Sequence, residues 1–287
     1  MIGFLTKTLY LPFFLLVGNG LAIHLVVSGR SRLWLPVLVL FFIAFAFTCE
    51  RAFPYDRAFN DPQGDRVRDF CHALVNEGSS VLGLLFVPLA AGIAPQWAVW
   101  PAASPMWQQL LLAILIADVG ITLAHYASHR IALLWRLHAV HHSVRRMYGL
   151  NGLMKHPLHQ FIETLAGTSP LLVMGVPVEV LQLLVVAVAL QLLLQHSNVA
   201  YFTGPLKHLL AINVVHRFHH LNSAAEGDCN FGLFTSLTDR LLGTAHYDSK
   251  RIIRTIDLGI GDQPHYPVEY FDQILQPFRP QLARRAQ

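Results

Sequence analysis

The chain has 287 residues, 54 % of them hydrophobic and only 13 % charged, against about 25 % charged in an ordinary soluble domain, so its composition points to a membrane protein. The net charge of +4 lies beside apolar runs and not in one aromatic-interleaved basic patch, which argues for membrane topology and against nucleic acid as partner. Cys49, Cys71 and Cys229 are odd in number and widely spaced, with no CxxC, and supply neither a disulfide framework nor a zinc ribbon.

Six apolar runs follow along the chain, approximately residues 8–27, 33–49, 76–93, 106–124, 160–174 and 178–195. The first two are each about long enough to cross ~30 Å of hydrocarbon at ~1.5 Å per residue. The first has a single Lys7 ahead of it, is long for a signal-peptide core and lacks a small-residue cleavage site, so it reads as a retained anchor. The loop from Glu50 to Asp69 carries Arg51, Arg57, Arg66 and Arg68, whereas residues 94–105 have no charge, which makes the first loop cytoplasmic. The fourth run then ends on the cytoplasmic side, where Arg130, Arg136, Arg145, Arg146 and Lys155 follow; only Arg30 and Arg32 run against this assignment. Gly175, Val176 and Pro177 alone separate the last two runs, and no further span follows Leu206. The expected fold is an all-α, multi-span integral membrane bundle, a single domain over 1–287, with a histidine-rich cap at its cytoplasmic face.

Sixteen histidines are present, most of them at the cytoplasmic ends of the runs. His125 and His129 form HxxxH, which stacks two imidazoles one helical turn apart. His138, His141 and His142 form HxxHH, and His216, His219 and His220 repeat it, each expected to converge on one helix face. A random chain of this histidine content would contain HxxHH about 0.05 times. Eight clustered imidazoles exceed the four ligands of one tetrahedral zinc, so two metal ions are the simplest demand. Imidazole suits iron, zinc, copper and nickel alike; four or five nitrogens per ion with one position open suit iron that binds dioxygen. HExxH, the zinc-protease signature, is absent.

His156 and His196 flank the hairpin of the last two runs and return to the same depth as the clusters, which makes both candidate ligands, with His159 one turn on from His156. His24, His72, His208, His246 and His265 have no partner at helical spacing and read as structural. Asp118, seven residues before His125 on the same face, is expected to accept an imidazole N–H, with Asp239 and Glu163 as further candidates. Leu150, Met154 and Phe161 are candidate channel-lining residues.

The ordered segments HYASHR, LWRLHAVHHS, KHPLHQFIE, QHSN, HRFHH, NFG and TDRLLGT resemble the fatty acid hydroxylase superfamily of sterol desaturases, sphingolipid hydroxylases and related membrane oxidases. The resemblance covers about 118–244 and departs from the usual pattern at Thr238, where tryptophan commonly precedes the aspartate, and at Lys155. It implies a non-haem di-iron centre on His125, His129, His138, His141, His142, His216, His219 and His220, completed by His196 and His156, with dioxygen as co-substrate and a membrane lipid as substrate. No fused haem or ferredoxin-like carrier is visible in the sequence, so a separate electron-donor protein is expected. The chemistry implied is hydroxylation or desaturation of a lipid C–H bond. The other readings are a histidine-rich metal transporter, disfavoured because the clusters lie on one side, and a non-catalytic lipid-binding relative.

Overall fold

The computed structural model describes residues 2–93 and 97–279. Helices account for its regular structure, and no β-sheet forms among the described residues. The first span consists of α1 (Ile2–Pro12), a π-helical turn (Phe13–Gly18) and α2 (Asn19–Val27). Pro12 has no N–H to continue the α-helical ladder, and the wider π turn begins immediately after it. There follow α3 (Trp34–Ala52), α4 (Arg66–Ile93), α5 (Met106–Arg130), α6 (Ala132–His142), α7 (Pro157–Met174) and α8 (Val178–Gln195). Short helices α9 (Asn213–His219), α10 (Ala224–Gly227), α11 (Leu237–Leu242) and α12 (Tyr270–Leu275) build the cap.

Four described helical segments are long and apolar enough to cross a membrane: Gly3–Val27, Trp34–Ala52, Met106–Arg130 and Val178–Gln195. They coincide with the first, second, fourth and sixth expected runs. The third falls within α4, and its connection to α5 begins at 94–96, outside the described residues. The fifth, α7, is not among the four, because Gln160, Glu163, Thr164, Thr168 and Ser169 interrupt its apolar character.

On α5 the residues Trp107, Leu111, Leu115, Val119 and Leu123 recur every fourth position and are all exposed, a stripe suited to lipid. The opposite face, with Leu110, Ala113, Ala117 and Asp118, is buried. α8 is the axis of the bundle: 72 % of its apolar window is buried inside the protein, against 28–39 % for the other three segments.

Two glycine positions set the bundle's geometry. A Cβ on Gly120 would overlap the carbonyl of Ala166, so α5 and α7 approach at backbone contact, the kind of packing that holds helices together where the solvent is itself apolar. Gly175 takes φ 81°, and Val176 N–H donates to Leu171 O at 3.1 Å, closing α7 with a left-handed cap that returns the chain into α8. The cap is fastened below the spans by Glu50 of α3, whose carboxylate accepts from Gly149 N at 2.7 Å and Asn198 N at 3.0 Å.

Candidate metal centre

Nine histidines meet beneath the bundle, in two adjoining groups. His125 and His129 at the inner end of α5, His138 and His142 of α6, and His219 of α9 form the first; His141, His196, His216 and His220 form the second. All are buried except His129, which is partly exposed.

Each HxxHH motif is divided between the groups. His138 and His142 turn to the first and His141 to the second, while His216 and His220 turn to the second and His219 to the first. This corrects the expectation that all three imidazoles of a motif share one face. Positions i and i+4 lie about 40° apart around a helix and i+3 about 100° from i+4, so the outer pair stay together and the middle histidine departs.

The ring nitrogens test whether a cation fits. His125 Nδ1 is 2.8 Å from Phe231 O and His219 Nδ1 is 2.8 Å from Cys229 O. A carbonyl only accepts, so both protons sit on Nδ1 and both Nε2 atoms carry bare lone pairs. Those two Nε2 atoms face each other at 2.9 Å. In the second group His141 Nδ1 donates to Met154 O at 2.9 Å and His196 Nδ1 to Leu192 O at 3.2 Å, leaving their Nε2 lone pairs opposed at 3.3 Å. Lone pairs so opposed repel unless a cation lies between them. The remaining Nε2 separations, such as His129–His142 at 3.2 Å and His216–His220 at 3.1 Å, have the same scale. A metal bound at about 2.0–2.1 Å to imidazole holds neighbouring nitrogens about 3.0–3.4 Å apart. Both groups therefore fit a metal ion.

Burial keeps the cap histidines unprotonated. Loss of water pushes His196 down to about 3 and His219 down to about 4. The same burial, followed by mutual repulsion among the rings, drives His138, His141, His142, His216 and His220 well below the usual histidine value. Neutral imidazole is the form that ligates.

His156 lies outside both groups. Pro157 occupies the first position of α7 and holds His156 extended as its N-cap, where Nδ1 accepts from Leu158 N at 3.2 Å and Nε2 donates to Ile274 O at 3.1 Å. The histidine that the helix turns inward is His159. Its ring lies 4.4 Å from that of His138, its Nε2 is 2.9 Å from Ser128 Oγ, and with His138 and Glu163 it forms a third potential ligand set. The proline in KHPLH was the signal that His156 caps and His159 faces the site.

Asp118 and Asp239 touch no imidazole. Asp118 accepts from Leu233 N at 3.1 Å, Phe234 N at 2.8 Å, Thr235 N at 3.0 Å and Thr235 Oγ1 at 2.6 Å. Asp239 accepts from Phe231 N and Gly232 N, both at 2.8 Å, and from Thr244 Oγ1 at 2.7 Å. Together they fix the NFGLFT loop, whose Phe231 carbonyl and neighbouring Cys229 carbonyl orient His125 and His219. The N–H groups of His125, His219, His141 and His196 thus end on backbone, one step nearer than the expected carboxylates. Glu163 pairs with Lys155 and also stands 3.8 Å from His159 Nδ1.

A cavity of about 460 Å³ runs between α5, α7 and α8. Ile121 and Leu192, two of its lining residues, each stand four positions before a clustered histidine, His125 and His196. Phe161 lines it, whereas Leu150 packs in the main apolar core and Met154 in a separate buried cluster with Ala139 and Val140.

The profile of the fatty acid hydroxylase family matches residues 110–244, the stretch that carries every clustered histidine. The ornithine lipid hydroxylase OlsE of Rhizobium tropici is 32 % identical over 261 residues, covering 88 % of this chain and 77 % of that protein. The alkylglycerol monooxygenase of Danio rerio is 28 % identical over 184 residues, 62 % of this chain but only 39 % of that protein. No solved structure matches. With the histidine pattern, the membrane bundle and a relative aligned over most of both lengths, the chain belongs to the fatty acid hydroxylase family.

Proposed function

We propose that the whole chain, 1–287, acts as one membrane-bound, non-haem di-iron monooxygenase that hydroxylates a membrane lipid. His125, His129, His138, His142 and His219 hold one iron in this reading, and His141, His196, His216 and His220 the other; His156 is left out. The observation that carries it is the pair of opposed, unprotonated Nε2 lone pairs in each group. Held by these residues, iron would supply dioxygen-dependent insertion of one oxygen atom into a C–H bond, with two electrons from a separate donor protein and two protons from water taking the other oxygen to water.

The protein's own part is placement and dryness. Cys229 and Phe231 carbonyls aim imidazoles of the first group, those of Met154 and Leu192 aim imidazoles of the second, and the cavity between α5, α7 and α8 receives the lipid's apolar portion. The site belongs to the cytoplasmic face, where Arg51, Arg57, Arg130, Arg136, Arg145 and Arg146 gather. Hydroxylation is favoured over desaturation because the two relatives are named a hydroxylase and a monooxygenase.

Purified protein is expected to carry about two irons per chain and, with a reductant, to convert a lipid to a product heavier by one oxygen atom. The His219→Ala variant is expected to lose that product while still inserting into the membrane. Retained lipid oxidation in that variant rejects the assignment.

A further inference from the structure

Among the described residues the cavity walls are mostly aliphatic, and the charged side chains lining them are Glu77, Lys155 and Glu163. Lys155 and Glu163 are buried and paired with each other, so together they contribute no net charge. Glu77 is different. Among the described residues no ion pair or hydrogen bond reaches its carboxylate, the lysine that shares the cavity, Lys155, is taken by Glu163, and the adjoining stretch 80–96 contains no Lys, Arg or His.

The depth of Glu77 is fixed by its neighbour. Asn76 Nδ2 donates to the carbonyls of Leu153 and Lys155, both at 2.9 Å, and Met154 between them accepts the N–H of His141. Glu77 therefore stands at the end of the cavity that is level with the histidines. Ile121, Leu181, Leu184 and Val188 extend the apolar remainder.

A carboxylate in an apolar recess is costly unless it is paired, and the one described cation of the cavity, Lys155, is already paired with Glu163. We infer that the occupant supplies it: the cavity takes a lipid bearing a protonated amine, which pairs with Glu77 while its acyl chain lies along Ile121, Leu181, Leu184 and Val188. This assignment rests on the lipid-hydroxylase reading and names the substrate class within it.

The test is equilibrium binding to the purified full-length protein in detergent, read by native mass spectrometry. The probes are an N-palmitoyl diaminoalkane, with one acyl chain and one free primary amine, and its N-acetylated counterpart. The wild-type protein is expected to bind the amine at least about tenfold more tightly than the acetylated form, as suits a hydrogen bond to a charged group. Glu77→Gln is expected to remove that preference and to leave binding of the acetylated probe unchanged, which also reports an intact fold. Equal affinity of the wild-type protein for both probes, or a preference that survives in Glu77→Gln, overturns the inference. If the variant does not accumulate, the wild-type comparison decides alone. Because binding is read without turnover, a preserved amine preference in an enzyme that oxidises no lipid counts against the hydroxylase reading and not against Glu77.

Discussion

Two imidazole lone pairs opposed at 2.9 Å, as in His125 and His219, are held in place by carbonyls on the far side of each ring. Removing the support is expected to act through the metal. Asp118→Ala would leave three backbone N–H groups and the Thr235 hydroxyl unpaired in a buried loop, costing about 3 kcal/mol. The Phe231 carbonyl of that loop orients His125 of the first histidine group, so elemental analysis is expected to show metal falling from about two towards about one per chain. His156→Ala is expected to keep full metal content and lipid oxidation within about threefold of wild type. It loses a helix cap, worth about 1 kcal/mol, and the hydrogen bond to Ile274 O, and thermal unfolding read beside metal content would show the two effects apart. Full loss of metal in that variant would restore His156 to the ligand set.

At the scale of the helix, HxxHH is legible as a two-sided device once its angles are considered. His138 and His142 face one way and His141 the other, and the second copy mirrors this, so each motif contributes imidazoles to both groups. The close crossing of α5 and α7 is what keeps His125 and His159 in one layer. Gly120→Val is expected to push these helices apart, with a cost of about 3 kcal/mol and a lowered thermal midpoint in detergent. The ends of α5 and α8 and the Gly175 turn could be read from apolar runs and local turn chemistry. The polar character of α7 could be read too, yet length alone made it resemble a span. The roles of His156 and His159 depended on how Pro157 starts α7, a local rule outweighed by the arithmetic of depth.

For the whole molecule, the cap is stitched from segments far apart in the chain: Glu50 to Asn198, Asp118 to Leu233, His125 to His219. Metal is expected to be part of that stitching. A chelator should lower the thermal midpoint by at least about 5 °C, reversibly on return of iron, because ligation is available only to the folded state. An unchanged midpoint with complete metal removal would show that the hydrogen-bonded loops suffice by themselves.

The sequence by itself determined the membrane environment, four of the spanning segments and the nine histidines that cluster, though with His156 added to them, because apolar length and helical spacing are local properties. Tertiary structure alone decided how those nine divide between two groups, that His156 stands aside while His159 turns in, and that carbonyls of Cys229, Phe231, Met154 and Leu192 set the imidazole tautomers. These are meetings between residues tens of positions apart, and their geometry is fixed by packing against α8 and by the loops that Asp118 and Asp239 hold, not by any spacing along the chain.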